Sequence, residues 1–180
     1  MNLKKIKIIA VIGIFIISFI SHFAYNLLPN IIFSFIFPVN ESIWEHMKII
    51  FTSTLIYGII DYLLLNKYKI KYNNIPFQLY FTAISAIPIY LVIYIPLYKI
   101  FGENMFISIS LLLLVYIISQ WISYHILKEK KAKILNTIAI PVILTMYLAF
   151  IYLTYNPIHN YIFYDTSNEK FGIDEYKTIG

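Results

Sequence analysis

Residues 8–28, IIAVIGIFIISFISHFAYNLL, decide the fold, because they form an apolar run long enough to cross a membrane as one helix. A helix needs about 20 apolar residues to span a hydrocarbon core of about 30 Å. Four more runs of this kind follow along the chain. The sequence therefore predicts an all-α integral membrane protein, a bundle of five transmembrane helices at about 8–28, 43–65, 75–98, 104–127 and 134–155.

The composition agrees with this prediction and excludes several classes of protein. Of the 180 residues, 60% are hydrophobic and 13% are charged, whereas soluble domains are about 45–50% apolar and about 25% charged. An ordinary soluble enzyme and a disordered protein are therefore excluded. The net charge of +5 does not indicate a nucleic-acid binder, because the lysines lie between the apolar runs. The chain has no cysteine, which excludes a thiolate nucleophile and Cys-bound metals.

The lysines predict the orientation in a cell membrane. Three precede the first predicted helix, three lie between the second and third, and four lie between the fourth and fifth, so ten of fourteen share one side. Cytoplasmic loops carry the excess of positive charge, which predicts a cytoplasmic N-terminus and an extracytoplasmic C-terminus. The charged residues predicted on the outer side are Glu41, Glu45, Lys48, Lys99, Glu103, Asp165, Glu169, Lys170, Asp174, Glu175 and Lys177.

Prolines and one acid break the apolar pattern. Residues 31–37, between Pro29 and Pro38, are too short to span and are expected to form an outer interfacial or re-entrant segment. Pro88 and Pro141 lie inside predicted helices, where each removes a backbone donor and favours a kink. Asp61, near the inner end of the second helix, is expected to pair with Lys67 or its neighbours.

Residues 156–180 are too polar to span, so they are expected to form an extracytoplasmic tail packed on the helical domain of residues 1–155. Ile162 and Tyr164 precede a turn-like TSNE, and Phe171 and Ile173 follow it. With Gly172 beyond the turn, this pattern predicts a small outer hairpin. Its apolar side needs a surface, which the top of the bundle provides.

The most informative stretch is residues 38–48, PVNESIWEHMK. Ser42 as N-cap and Glu45 three residues later match a capping box, in which each side chain bonds the other residue's backbone N–H. Glu45 and Lys48 are three apart and are expected to pair on one helix face. Trp44 lies where the aromatic belt of the outer interface is expected. These residues have an adequate structural explanation.

The histidines and acids of the first two helices suggest a site. His22 continues a polar stripe with Ser18 and Asn26. At about 1.5 Å per residue, His22 lies about 9 Å and His46 about 8 Å below the outer boundary. We therefore expect the two rings to face each other or a shared pocket, within about 10 Å. Glu41 and Glu45, one helical turn apart, are expected to share a face.

Two histidines with two carboxylates predict a candidate site for a divalent cation such as Zn²⁺. His22 and His46 are the candidate metal ligands, and Glu45 or Glu41 is the candidate general base. Asp165 in the tail is a candidate third carboxylate. The other candidate binding residues are Asn40, Ser42 and Lys48. The alternative is a hydrogen-bonded polar cluster that fixes helix packing, or residues that face lipid head groups.

The block PVNES-x-WEH-x-K, with His22, Phe23 and Tyr25 upstream and Phe163, Asp165, Gly172 and Ile173 in the tail, resembles a family of small bacterial multi-pass membrane proteins of unknown function. The resemblance covers essentially the whole chain. It implies no activity, cofactor or protein partner. It does imply that six residues act together, namely His22, Asn40, Glu41, Glu45, His46 and Lys48.

Three functions fit this sequence. The first is a metal-assisted enzyme at the outer leaflet that acts on lipid or envelope substrates. The second is a non-catalytic membrane subunit whose motif stabilises the fold or docks a partner. The third is a transporter or binding protein for small solutes that uses the same polar cluster, with Pro88 and Pro141 as hinges. The partner that the sequence itself identifies is the lipid bilayer.

Overall fold

The computed structural model describes residues 1–102 and 104–173. Of the residues used in the charge argument, Glu103, Asp174, Glu175 and Lys177 lie outside that range, as does the rest of the tail after residue 173. The described elements are α1 (Leu3–Leu27), α2 (Ile31–Ile36), α3 (Ile43–Lys67), α4 (Ile75–Phe101), α5 (Met105–Lys128), α6 (Lys133–Thr137), α7 (Ala139–Tyr155), β1 (Tyr164–Asp165) and β2 (Lys170–Phe171).

Among the described residues, four helices are long and apolar enough to cross a membrane, namely α1, α3, α4 and α5. Each of α1 and α4 packs against both α3 and α5, so the four helices form a ring. We call the end where α1 finishes and α3 begins the histidine end, and the opposite end the lysine end. The apolar runs thus predicted these four helices closely, because length and composition alone identify them.

The fifth predicted helix, 134–155, is divided in the structure. α6 ends at Thr137, Ile138 is a turn residue, and α7 has 17 residues. The expected disturbance at Pro141 takes the form of this break, because the proline provides no N–H for the carbonyl of Thr137, four residues back. Pro88, where a kink was also expected, lies inside α4, and the helix runs unbroken past it.

The interior of the ring is filled towards the lysine end. Ile6, Leu65 and Leu127 form an apolar layer there and are at most 1% exposed. Beside this layer, the buried Lys7 donates a hydrogen bond to Asp61. The expectation that Asp61 pairs with Lys67 was therefore wrong, because α3 turns Asp61 inward against α1 while Lys67 is exposed at the end of the helix.

The short segment between Pro29 and Pro38 forms a single helix, α2. Asn30 caps it by accepting a hydrogen bond from the N–H of Phe33, at 3.0 Å. α2 packs against α7, where the hydroxyls of Ser34 and Tyr155 lie 2.8 Å apart. This contact places α2 at the histidine end.

In the tail, β1 and β2 pair antiparallel as a two-stranded hairpin, with Tyr164 opposite Phe171. Gly172 follows with φ +61°, and a Cβ there would lie 2.5 Å from the carbonyl oxygen of Thr154. Only glycine therefore allows the tail to approach α7 this closely. The N–H of Trp44 bonds the carbonyl of Ile162 at 2.9 Å, which fixes the tail over the start of α3.

Candidate metal centre at the histidine end

The two histidines meet at the histidine end. The rings of His22 on α1 and His46 on α3 are stacked, with centroids 5.5 Å apart and planes at 29°. This agrees with the expected separation of less than about 10 Å. The similar depths on two adjacent antiparallel helices explain the result, because α1 and α3 pack along their length.

Glu41 lies between the histidines. Its Oε1 is 3.8 Å from Nε2 of His22, and its Oε2 is 3.4 Å from Nε2 of His46. The expectation that Glu41 shares a helix face with Glu45 was wrong, because α3 begins only at Ile43 and Ser42 is an extended N-cap. Glu41 therefore does not follow the helical period, and it turns towards α1 while Glu45 turns away.

The backbone determines which nitrogen of His46 carries a proton. Nδ1 of His46 lies 2.9 Å from the carbonyl oxygen of Ser42, one turn earlier in α3. Since a carbonyl only accepts, Nδ1 is the donor, and in the neutral ring Nε2 has a free lone pair. That lone pair faces a carboxylate oxygen of Glu41. Two lone pairs at 3.4 Å repel each other unless a hydrogen-bond donor or a metal ion lies between them.

The donor atoms of His22, Glu41 and His46 lie within 4.8 Å of one another, which suits a metal ion. Zn²⁺ bonds of about 2.0–2.2 Å in a tetrahedron place the ligand atoms about 3.4 Å apart. The two contacts of Glu41, at 3.8 and 3.4 Å, are close to this spacing, and no separation in the set exceeds 4.8 Å. A set of two histidines and one glutamate leaves a fourth position open, as in catalytic zinc sites. The three side chains are 26%, 34% and 32% exposed, so an ion has access.

Glu45 and Lys48 form a separate, sealed network. Nζ of Lys48 lies 2.7 Å from Oε2 of Glu45 and donates to the carbonyl of Ser34 at 2.8 Å. Thr154 donates to Oε1 of Glu45 at 2.6 Å. The predicted ion pair is therefore present, but its partners come from α2 and α7. The structure does not bring Glu45 to the histidines, where a general base would have to act.

The predicted capping box forms only in part. Ser42 accepts a hydrogen bond from the N–H of Glu45 at 3.3 Å, as expected. The carboxylate of Glu45 accepts from the N–H of Val39 at 3.0 Å instead of from Ser42. Asn40 takes the missing role, because its Oδ1 accepts from the N–H of Ser42 at 2.9 Å. Since Asn40 also donates to the carbonyl of Gly172 at 2.9 Å, it ties this turn to the tail.

Asp165 supports the loop that carries Glu41. It is buried, and its Oδ2 accepts from the N–H of Glu41 at 3.1 Å. Its Oδ1 accepts from the N–H groups of Ser167 and Asn168. Burial would raise the pKa of Asp165, but the hydrogen bonds from Asn168, Glu41 and Ser167 hold this pKa below its ordinary value. Its oxygens face these donors, so the structure places Asp165 behind Glu41 and outside the three-residue donor set.

A cavity of about 300 Å³ opens beside the side chains of His22, Glu41 and His46, inside the ring of α1, α3, α4 and α5. Its far wall includes Tyr90, Tyr94 and Leu112. A smaller cavity of about 70 Å³ lies on the other side, and its lining includes Asn40 and Asn168. His22 and Glu41 line both cavities. The candidate centre therefore lies between an apolar compartment and a polar one.

Sequence reasoning missed the tyrosines of the larger cavity. Tyr90, Tyr94 and Tyr98 recur every four residues on α4, and their rings follow one another at 4.9 and 5.8 Å. That spacing places them on one helix face and was a visible signal. Thr154 had no such signal, because a single threonine in an apolar helix does not identify its partner.

Comparison with known protein families assigns the chain to one of them. The chain belongs to the family described as "Family of unknown function (DUF6512)", whose model matches residues 1–173. This agrees with the resemblance to a family of unknown function noted in the sequence. No curated protein and no solved structure matches the chain.

Proposed function

We propose that this chain is a membrane-embedded hydrolase that depends on a divalent metal ion such as Zn²⁺, held by His22, Glu41 and His46. One observation carries the proposal: Nε2 of His46 and the carboxylate of Glu41 face each other at 3.4 Å, with His22 alongside. Such an arrangement of lone pairs repels unless a hydrogen-bond donor or a positive charge lies between them, and a metal ion supplies that charge.

A metal ion accounts for that charge better than a lysine. Lys48, the lysine nearest to the site in sequence, is fully buried and already engaged by Glu45. No arginine occurs in the chain. The hydrogen bond from Nδ1 of His46 to Ser42 also fixes the ring with Nε2 outward, which is how a second partner commonly orients a ligating histidine.

The chemistry follows from the open fourth position. A divalent ion held by His22, Glu41 and His46 would lower the pKa of a bound water to about 7 and so supply a nucleophile for the hydrolysis of an ester. The overall reaction would consume one water, which gives its oxygen to the acid product and a proton to the departing alcohol. In this scheme Glu41 is a metal ligand. No general base is needed, because the metal itself would lower the pKa of the water.

The proposed location is the outer boundary of the cell membrane. Four long apolar helices and the ten-to-four lysine distribution support a cytoplasmic lysine end and an extracytoplasmic histidine end. We propose that α6 and α7 together form a fifth crossing. α7 alone reaches about 26 Å, but α6 and α7 together reach about 35 Å at 1.5 Å per residue, which suffices for the core. Tail and hairpin then lie outside.

Metal content tests the function. Purified protein is loaded with Zn²⁺, desalted and analysed for bound metal. We expect about one ion per chain in the wild type and none in His22→Ala or His46→Ala. Losing a ligand costs more affinity than the roughly 10–100-fold effect of losing an outer hydrogen-bond partner. His125→Ala, an exposed histidine at the lysine end, is the matched control and keeps the metal. If the wild-type protein retains no metal, the contact between Glu41 and His46 does not depend on a metal ion. That result would overturn the proposal.

Cysteine labelling tests the orientation. Since the chain has no native cysteine, single substitutions at Asn30, Asn73, Lys131 and Ser167 give clean signals. In intact cells, a membrane-impermeant reagent should label Asn30→Cys and Ser167→Cys. It should label Asn73→Cys and Lys131→Cys only after the membrane is opened. Labelling of Asn73→Cys or Lys131→Cys in intact cells contradicts the proposed topology.

A further inference from the structure

The larger cavity has one polar end and an apolar body. His22, Glu41 and His46 occupy the polar end, while Ile50, Tyr94 and Leu112 are among the residues lining the rest. Two serines also line it, but Ser18 donates within α1 to the carbonyl of Phe15 at 2.6 Å, and Ser108 donates to the carbonyl of Asn104 at 3.0 Å. The body of the cavity therefore suits a chain of methylene groups, and its end suits a polar group.

The edge of the cavity is apolar as well. Phe19, Phe23 and Met105 line it and are 39%, 51% and 77% exposed. In a membrane these side chains face lipid, because the ring presents them on its outer surface. Tyr161 and Thr166 of the tail also line the cavity, on the side of the histidine end that meets water. A ligand therefore reaches the body of the cavity from the bilayer.

The size of the cavity limits the ligand. About 300 Å³ is at the lower end of the range for small-molecule pockets, about 300–1,000 Å³. A single acyl chain suits such a volume, whereas a two-chain phospholipid needs a larger one. The flat rings of Tyr90 and Tyr94, stacked at 4.9 Å and almost fully buried, provide a smooth wall for an extended chain.

We infer that the cavity binds the acyl chain of a single-chain amphiphile, such as a lysophospholipid or a fatty acyl ester, and places its ester oxygen at the metal centre. The inference rests on the proposed function, because it names the substrate class of the same site. The chain lies along α4 and α5, and the head group reaches His22, Glu41 and His46. The smaller polar cavity, on the opposite side of His22 and Glu41, provides the water that hydrolysis consumes.

A photoactivatable probe tests the position of the chain. The probe is an ether-linked lysophospholipid with a diazirine at the end of its tail, which has no ester to be hydrolysed. With wild-type protein in lipid vesicles, peptide mapping should find the crosslinks in α4 and α5 near Tyr94 and Leu112. An excess of unlabelled lysophospholipid should remove them. Crosslinks confined to lipid-facing residues such as Ile59, and not removed by competitor, overturn the inference.

A pair of variants on one helix sharpens the test. Leu112→Trp fills the cavity, and we expect at least a tenfold loss of competitor-sensitive crosslinking. Leu113 is the next residue along α5, but it lies on the outer surface and is 37% exposed. Leu113→Trp should therefore crosslink like the wild type. Equal crosslinking by the two variants contradicts the inference. Ser108→Trp is a second cavity-filling change, used if Leu112→Trp does not fold.

Zn²⁺ content, measured on the same samples, separates the two proposals. Both tryptophan variants should keep the metal, because neither touches a ligand. Bound metal without crosslinks in the cavity overturns the single-chain inference and leaves the hydrolase proposal standing. Competitor-sensitive crosslinks in the cavity of a protein without metal support the chain site and overturn the metal-dependent function.

Discussion

One eleven-residue stretch, 38–48, contributes to two polar clusters of opposite character. Glu45 and Lys48 are at most 2% exposed, and their charged atoms all have partners in α2, α3 and α7. Glu41 and His46 are about one third exposed, and they approach His22 without a mediating donor. The comparison shows that residue type alone does not separate a structural ion pair from a site. Burial and the number of hydrogen-bond partners distinguish the two clusters.

The helix start produces this division. Glu45 and Lys48 are three residues apart and face α7, whereas His46 points about 100° away, towards α1. Glu41 lies before the N-cap, so it is free of the helical period and joins His46 instead of Glu45. A shift of the cap by one turn would change the partners of every charged residue in the stretch.

The largest expected effect comes from opening the sealed cluster. Lys48→Met leaves the carboxylate of Glu45 buried without its cation, which costs about 3–5 kcal/mol of unfolding free energy. Denaturant unfolding in detergent micelles measures this loss. The double variant Glu45→Leu/Lys48→Met should recover only part of it, because the unpaired charge is gone but the N–H of Val39 and the hydroxyl of Thr154 lose their acceptor.

Glu41→Gln, measured without metal, is the matched control from the open cluster. It removes a carboxylate that is one third exposed, so we expect a change within about 1 kcal/mol. If Lys48→Met and Glu41→Gln destabilise the protein equally, the two clusters do not differ in the way that their burial indicates.

The sequence predicted those parts of the fold and site that depend on length and depth. The second predicted helix, 43–65, agrees with α3 because apolar length and the Ser42 cap are local signals. His22 and His46 meet because equal depth on neighbouring helices is a matter of counting residues. The partners of Glu45, Lys48 and Asp61 were only partly predictable. They include Ser34, Thr154 and Lys7, which reach the acids through tertiary packing that no local pattern encodes.

The smallest expected effect concerns Asp165, which joins the open cluster to the tail. Hydrogen bonds hold the folded-state pKa of Asp165 below its ordinary value despite burial, so its unfolded-state pKa is the higher of the two. The stabilisation is therefore present above about pH 4, the unfolded value, and is lost as the pH falls through the folded pKa. The hydrogen bond from the N–H of Glu41 to Asp165 contributes about 1 kcal/mol to this stabilisation.

Protease accessibility of the tail, measured from pH 6 down to about pH 3, reads this linkage directly. Wild-type cleavage should rise steeply below about pH 4, whereas Asp165→Asn should be cleaved faster at pH 6 and change less with pH. Lys48→Met in the same assay distinguishes the two clusters. Lys48 does not contact Asp165, so the pH profile of this variant should keep the wild-type shape. A wild-type profile as flat as that of Asp165→Asn would show that the hydrogen bonds to Asp165 do not hold the tail over Glu41.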